Sequence, residues 1–423
     1  MANKRAFSFV QSMLTLRRIS RILWVRVALL SALSVIAALS AELLGPLIPD
    51  GPRDRFTASA TLPILNILAN GMLAVATFSL GIMVSTHRTL AQQSTPRIHR
   101  LLMEDTSTQT MLATFIGAFV FALSSIILYR AGYYSESASV IVFAATVLVV
   151  AAIVVSLVRW IGQLSKIGSV EYALLRAEQT ASEILRQQRH LPRLGGRPLD
   201  QAPPEEGTEI FAPTSGFLRR IDMDELQNCA ESCDATVCLD ILPGAIVLRE
   251  QVLGTLRGSS ETKRVAACFL IDPERTYEQD PGYALQALRE SASKALSPGI
   301  NDPKTAIDVI ARLERLLWDW ALADAEAVEP SFDRVYLREV GADALLEAAF
   351  RDLSRDAAGF GDVLDAVAMA LAHLRSRMPA TGVAVIDDLA ADLRAHGDAG
   401  LMTDRERARL TCRLDALGLT PGH

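Results

Sequence analysis

The sequence predicts a membrane α-helical protein: four transmembrane helices followed by a cytoplasmic α+β domain rich in helices. Three observations carry that class. Half of the 423 residues are hydrophobic, and the apolar ones gather in four blocks near the N-terminus. Each block reaches the roughly 20 residues a helix needs to cross about 30 Å of hydrocarbon. Beyond the fourth block the pattern changes to amphipathic helices and short strands separated by Pro, Gly and Asp, the punctuation of a water-facing domain.

The first element is a basic tail, residues 1–21, with Lys4, Arg5, Arg17, Arg18 and Arg21 and no acid. That tail is too long for a signal peptide, so the following apolar block reads as an uncleaved anchor. The blocks at 22–44, 58–84, 110–129 and 138–158 make up a membrane domain over 22–158. Arg88, Arg97 and Arg100 follow the second block, and Arg159, Lys166, Arg176, Arg186 and Arg189 follow the fourth. The other two loops offer only Arg53, Arg55 and Arg130. Basic residues concentrate on the cytoplasmic side, which predicts a multi-pass membrane protein with N-terminus and C-terminal domain in the cytoplasm.

Inside the spans full charges are nearly absent; Arg26 and Glu42 lie close to the two ends of the first. The second span carries a polar, small-residue face of Asn66, Asn70, Ala74, Thr77 and Gly81, and the third a similar stripe of Thr114, Ala118, Ala122 and Ser125. Such faces either let helices approach closely or line a solute path. The missing midplane charges favour packing. Residues 95–105, "TPRIHRLLMED", read as a short amphipathic helix at the inner interface.

After the fourth span Ile161, Leu164, Ile167, Val170, Leu174, Ala177, Ala181 and Ile184 keep helical spacing. A cytoplasmic stalk helix over 159–188 follows, its apolar seam against a neighbour or another subunit. A linker at 189–207 is read from its Pro, Gly and charge content. Residues 208–272 read as a small α+β module, with Asp222 capping a short helix and Pro243-Gly244 turning between strands. Residues 273–423 read as a helical domain closed by a helix with a Thr403/Glu406 capping box.

The candidate ligand or subunit contacts are Arg275, Tyr277, Asp280, Asn301, Asp302 and Lys304. Asp280-Pro281 and Asp302-Pro303 repeat one device, an aspartate cap followed by a proline in the first turn. "SPGIN" is then the corner joining two helices, and capping architecture explains most of its letters. If the hairpin is antiparallel, the two helix starts lie at opposite ends of it. The candidate polar membrane face is Asn66, Asn70 and Thr77.

The cysteines Cys229, Cys233, Cys238, Cys268 and Cys412 fall in a reducing compartment on this topology. No histidine lies near the first three in sequence, so they read as buried thiols rather than a metal site. No metal or cofactor is expected. No phosphate-binding loop, nucleophile elbow, zinc helix or paired-carboxylate motif is present, so no enzyme is specified. A formal charge of −6 argues against a nucleic-acid partner. The partners expected are the lipid bilayer and further copies of the chain in a homo-oligomer.

"FSLGIMV", "STPRIHRLLMEDTSTQTMLATFIGAFVFAL", "SVEYALLRAEQTA", "SGFLRRID", "RTYEQDPGYALQAL" and above all "ALSPGINDPKTA" together resemble the bacterial predicted membrane proteins called domain of unknown function 2254. The resemblance runs from about the second span to the helical hairpin. It implies four spans plus a cytoplasmic domain, and no activity. Where members carry a histidine pair after the fourth span, this chain has "VRWIGQL".

Two functions fit these readings. One is an oligomeric channel or transporter gated or regulated by its cytoplasmic domain, favoured because four spans exceed what anchoring needs. The alternative is a membrane-tethered sensor or scaffold with non-conducting spans.

Overall fold

The computed structural model describes residues 23–44, 58–103, 106–164, 169–203, 206–323 and 329–419. The basic tail, the loop bearing Arg53 and Arg55, and Glu104, Asp105, Lys166 and Ile167 lie outside the described residues. The chain divides into two compact units, Met1–Ala173 and Leu174–His423.

The first unit is built from α1 (Leu23–Leu44), α2 (Ala58–Gln93), the short α3 (Pro96–Met103), α4 (Thr106–Arg130) and α5 (Glu136–Leu164). Four of these helices are long and apolar enough to cross a membrane, over Trp24–Leu44, Ala58–Thr86, Gln109–Arg130 and Glu136–Gln163. The third is the hub. Its apolar window is 56% buried against 11–17% for the others, because it packs on α1, α2 and α5 at once. Phe115, Phe121 and Ala122 are its buried contacts, with Leu65 and Leu68 from α2 and Val142 from α5. At Gly117 a Cβ would sit 3.4 Å from Leu30 Cβ and Ser34 Oγ of α1. Small residues permit that approach where lipid supplies no hydrophobic driving force.

The two end charges of α1 are both engaged. Arg26 donates to Thr110 Oγ1 at 2.8 Å, and Glu42 accepts from the Ser135 backbone N–H at 2.9 Å. Ser135 in turn accepts from Ala138 N and so caps α5.

The second unit combines α6 (Val170–His190, most of which belongs here) with two sheets and a helical layer. The strands are β1 (Gly196–Pro198), β2 (Thr208–Phe211), β3 (Gly216–Ile221), β4 (Thr236–Leu239), β5 (Ile246–Val247), β6 (Val252–Arg257), β7 (Phe269–Asp272) and β8 (Phe332–Leu337). One sheet has the order β1-β8-β4-β6-β2, and the other β5-β3-β7. Helix α7 (Met223–Ser232) starts at Asp222, whose side chain accepts from Glu225 N, and α8 (Thr262–Ala266) precedes β7. The helical layer is α9 (Pro281–Ala295), α10 (Pro303–Leu322), α11 (Ala342–Asp356), α12 (Gly361–Arg375), α13 (Ala380–Gly400) and α14 (Asp404–Ala416). The Thr403/Glu406 capping box of α14 is formed in both directions.

Two sequence expectations change here, and a third is narrowed. Residues 189–207 carry two 3-10 turns and β1, which pairs in parallel with β8, so their described part is sheet edge rather than free linker. The segments 208–272 and 273–423 do not close separately. β8 arrives from beyond the helical hairpin and lies between β1 and β4, and its Val335 and Leu337 share the core of Ile210, Leu226 and Leu256. A strand pattern shows that a strand exists but not which sheet receives it.

The expectation that is narrowed concerns the seam of α6. Its seam residues Leu174, Ala177 and Ala181 are 2%, 4% and 0% exposed within one chain. Glu178 accepts from Arg312 at 2.6 Å and Arg315 at 2.8 Å, and the Trp320 indole N–H donates to Gln188 Oε1 at 2.7 Å. From 174 onward α6 therefore lies beside α10, running in the same direction. Amphipathic spacing shows that a face is covered, not by what. Here a neighbour in the same chain covers it.

Candidate functional site

The corner "SPGIN" is local architecture. Asp302 N donates to Ala295 O and Asn301 N to Ser297 O, closing the end of α9 with Asn301 at φ 53°. Asn tolerates that left-handed backbone better than most residues. Asp302 then caps α10, accepting from Thr305 N at 3.1 Å and Thr305 Oγ1 at 2.6 Å. Those two donors, the hydroxyl first, hold the Asp302 carboxyl below the usual carboxylate range. Pro298, Gly299, Asn301 and Lys304 are exposed.

At the other end of α9, Arg275, Tyr277 and Asp280 do come together. Asp280 is 4% exposed. Its Oδ1 accepts from Tyr283 N at 2.9 Å, which caps α9, while Arg275 grips both oxygens at 2.6 and 3.1 Å. Arg275 also donates to Gln286 Oε1 and lies over the Tyr283 ring, and the Tyr277 ring packs on Tyr283. Above the pair sits Gly244 at φ 93°, so close that a Cβ there would land on the Asp280 carboxylate. The fifteen residues of α9 separate this cluster from Asn301, Asp302 and Lys304, about 22 Å at 1.5 Å per residue. The six candidates thus form two groups, not one site.

What lies beside the Arg275–Asp280 pair is more informative. Pro243, beside Gly244, and Gln279 and Pro281, on either side of Asp280, all line a cavity of about 410 Å³. The last turn of α6 and the turn after it supply His190, Leu191, Arg193 and Leu194; the end of β8 supplies Leu337, Arg338 and Val340. Arg193, Leu194 and Gly195 are three consecutive residues at φ 55°, 52° and 85°. A non-glycine residue there costs on the order of 1–3 kcal/mol, and such strain clusters at ligand clamps. The sequence pointed to the pair but not to this cavity, whose wall is assembled from segments about 150 residues apart. The PG turn and the Gly-rich "PRLGG" were its only local signals.

In the first unit Asn66, Asn70, Ala74, Thr77 and Gly81 all face outward from the bundle, whereas Ala118, Ala122 and Ser125 of the third span are buried. Asn66 donates to Leu62 O, and Thr77 to Leu73 O and Ala74 O, so both turn back onto their own helix. Asn70 makes no hydrogen bond among the described residues.

Among the described residues no group of His, Cys, Asp and Glu is placed to hold a metal ion. Burial pushes the thiols of Cys229, Cys238 and Cys268 up, which makes them poor nucleophiles at neutral pH.

The chain matches the family model described as predicted membrane protein, DUF2254, over residues 20–373, from the first span into α12. Uncharacterized proteins of Mycobacterium bovis and Mycobacterium tuberculosis are 33% identical to it over 135 residues. That stretch is 29% of this chain and 26% of theirs, so the match spans about a quarter of the length of these relatives. No solved structure matches. With a family match that takes in the four apolar helices, both sheets and the helical hairpin, the chain belongs to the DUF2254 family of predicted membrane proteins.

Proposed function

We propose that the protein is a membrane-anchored, ligand-responsive protein whose C-terminal unit binds a small molecule in the cavity between α6, β8 and the start of α9. The observation that carries this reading is the cavity itself. Its volume lies within the range of small-molecule sites, and most of its wall surface is apolar, although Gln, His, Arg and Glu side chains also line it. No catalytic arrangement accompanies it, so the reading is binding without chemistry. On the positive-inside pattern both termini and this unit lie on the cytoplasmic side of the inner membrane. Native mass spectrometry of the full chain from its host tests the proposal. A bound small molecule in the wild type, lost when Val340→Trp fills the cavity, supports it. Equal retention by both, or none by either, defeats it.

The second reading is an oligomeric channel or transporter regulated by that unit. It is favoured by the outward-facing Asn66, Asn70 and Thr77, since polar residues in a span prefer a protein or water neighbour to lipid. Potassium flux into liposomes containing the purified chain separates the two readings. Flux that Asn70→Leu abolishes would establish conduction.

A further inference from the structure

Resting on the reading of the cavity as a ligand site, we infer that its ligand is a single-chain amphiphile: an apolar tail with an anionic head. The argument starts from the polar groups that face the cavity, because they are already engaged. Gln279 is held at both ends by the Ile221 backbone, donating at 3.2 Å and accepting at 2.9 Å. Gln188 donates to Val340 O and accepts from Trp320, and Gln187 donates to Glu183. A buried water needs two to four polar partners; Gln279 and Gln188 already use both N–H and C=O, and Gln187, which keeps its carbonyl oxygen, is exposed to solvent. The interior therefore suits hydrocarbon. At roughly 30 Å³ for a water-sized group, 410 Å³ holds a chain of about a dozen carbons.

The rim sets the head group. Glu278 is held at 2.9 Å by Arg219, whose side chain is mostly buried and also bonded to Thr276 and Asp272, and Arg193 pairs with Glu339 at 2.6 Å with both side chains largely covered, so these charges are less free to turn to a ligand. Arg338 differs. Its acidic partner among the described residues is Asp240 at 3.4 Å, with both side chains about two-thirds exposed. Such a surface pair is worth little, about 0–1 kcal/mol, so its guanidinium can turn to a carboxylate or phosphate at small cost. His190, exposed at the same rim, makes no hydrogen bond among the described residues. The charge left available to a ligand is positive.

The test uses the full chain in nanodiscs with two photoactivatable twelve-carbon probes, each bearing a diazirine at the tail end. One probe is a carboxylate and the other a trimethylammonium; labelled peptides are mapped by mass spectrometry. The carboxylate is expected to label the peptides around Leu191–Leu194 and Leu337–Val340 at least tenfold more than the ammonium. Val340→Trp should remove that labelling, and Leu191→Trp at the rim serves if the first variant does not fold. Arg338→Glu should reverse the preference between probes. Equal labelling by both probes, unmoved by Arg338→Glu, overturns the anionic head while leaving a ligand cavity standing. Labelling that survives both tryptophan variants, or none at these peptides, overturns the amphiphile altogether. A small molecule retained in native mass spectra would then still sustain the broader reading.

Discussion

Replacing Gly244 by alanine tests whether the Arg275–Asp280 pair holds the cavity wall. The new methyl would meet the Asp280 carboxylate and lie 3.0 Å from Arg275 Nη2, on a backbone at φ 93°. Left-handed backbone costs an L-residue about 1–2 kcal/mol. Uncoupling a buried ion pair costs about 3–5 kcal/mol, and less here because the Arg275 side chain is 27% exposed. With partial relaxation of the turn, about 3 kcal/mol is expected, which for a unit of this size lowers its melting point by roughly 6–12 °C. Gly299→Ala is the control: no atom lies within 4 Å of where its methyl would sit and its φ is ordinary, so its effect should stay within about 0.5 kcal/mol. Asp280→Asn keeps a cap but loses the charge, and should fall between the two. Thermal melting in detergent, with hydrogen exchange at the Tyr283 amide, reads all three. If Gly244→Ala melts with Gly299→Ala, the turn moves freely and the pair does not hold it.

At Asp302, serine should be nearly neutral and alanine should cost about 1 kcal/mol by urea unfolding. The lowered carboxyl pKa of Asp302 gives that cap a pH signature. The charge-dependent part of its contribution is present above the unfolded value, about 3.9, and lost as pH falls through the lower folded one, so the alanine penalty should be constant from pH 7 to about 4 and shrink below. A penalty undiminished in strong acid would refute the charged cap. Leu174→Asp, at 2% exposure, should destabilise the second unit without changing the mass of the detergent-solubilised protein; a change of mass at full stability would restore the oligomeric seam. Reporter fusions after Tyr134 should report the outside and fusions after Gln93 the cytoplasm; the reverse would move the C-terminal unit across the membrane.

The sequence made local structure legible wherever one residue type has one job. Asp222, Asp280, Asp302 and Thr403 all cap the helices their spacing marks, and the four apolar blocks match the four long helices to within a few residues at most boundaries. Long-range partners were not legible. Nothing around Phe332–Leu337 says that it slots between β1 and β4, and nothing in "SVEYALLRAEQTA" says that its seam meets α10. The cavity was invisible for the same reason: its walls come from α6, the Pro243-Gly244 turn, α9 and β8, each ordinary by itself.

The two membrane stripes make the same point more sharply. Asn66–Gly81 and Thr114–Ser125 carry nearly one pattern, small and weakly polar residues at helical spacing. The fold buries much of the second at the bundle centre and turns the first outward. A stripe of this kind in the hub helix is explained by close packing, as at Gly117 against α1. The outward one has no such explanation among the described residues. An asparagine amide such as that of Asn70, exposed and without a hydrogen bond among the described residues, would be costly against hydrocarbon, so this face suits a protein or water neighbour better than lipid. That asymmetry, and not the number of spans, is the physical ground for looking for further copies of the chain around the second helix.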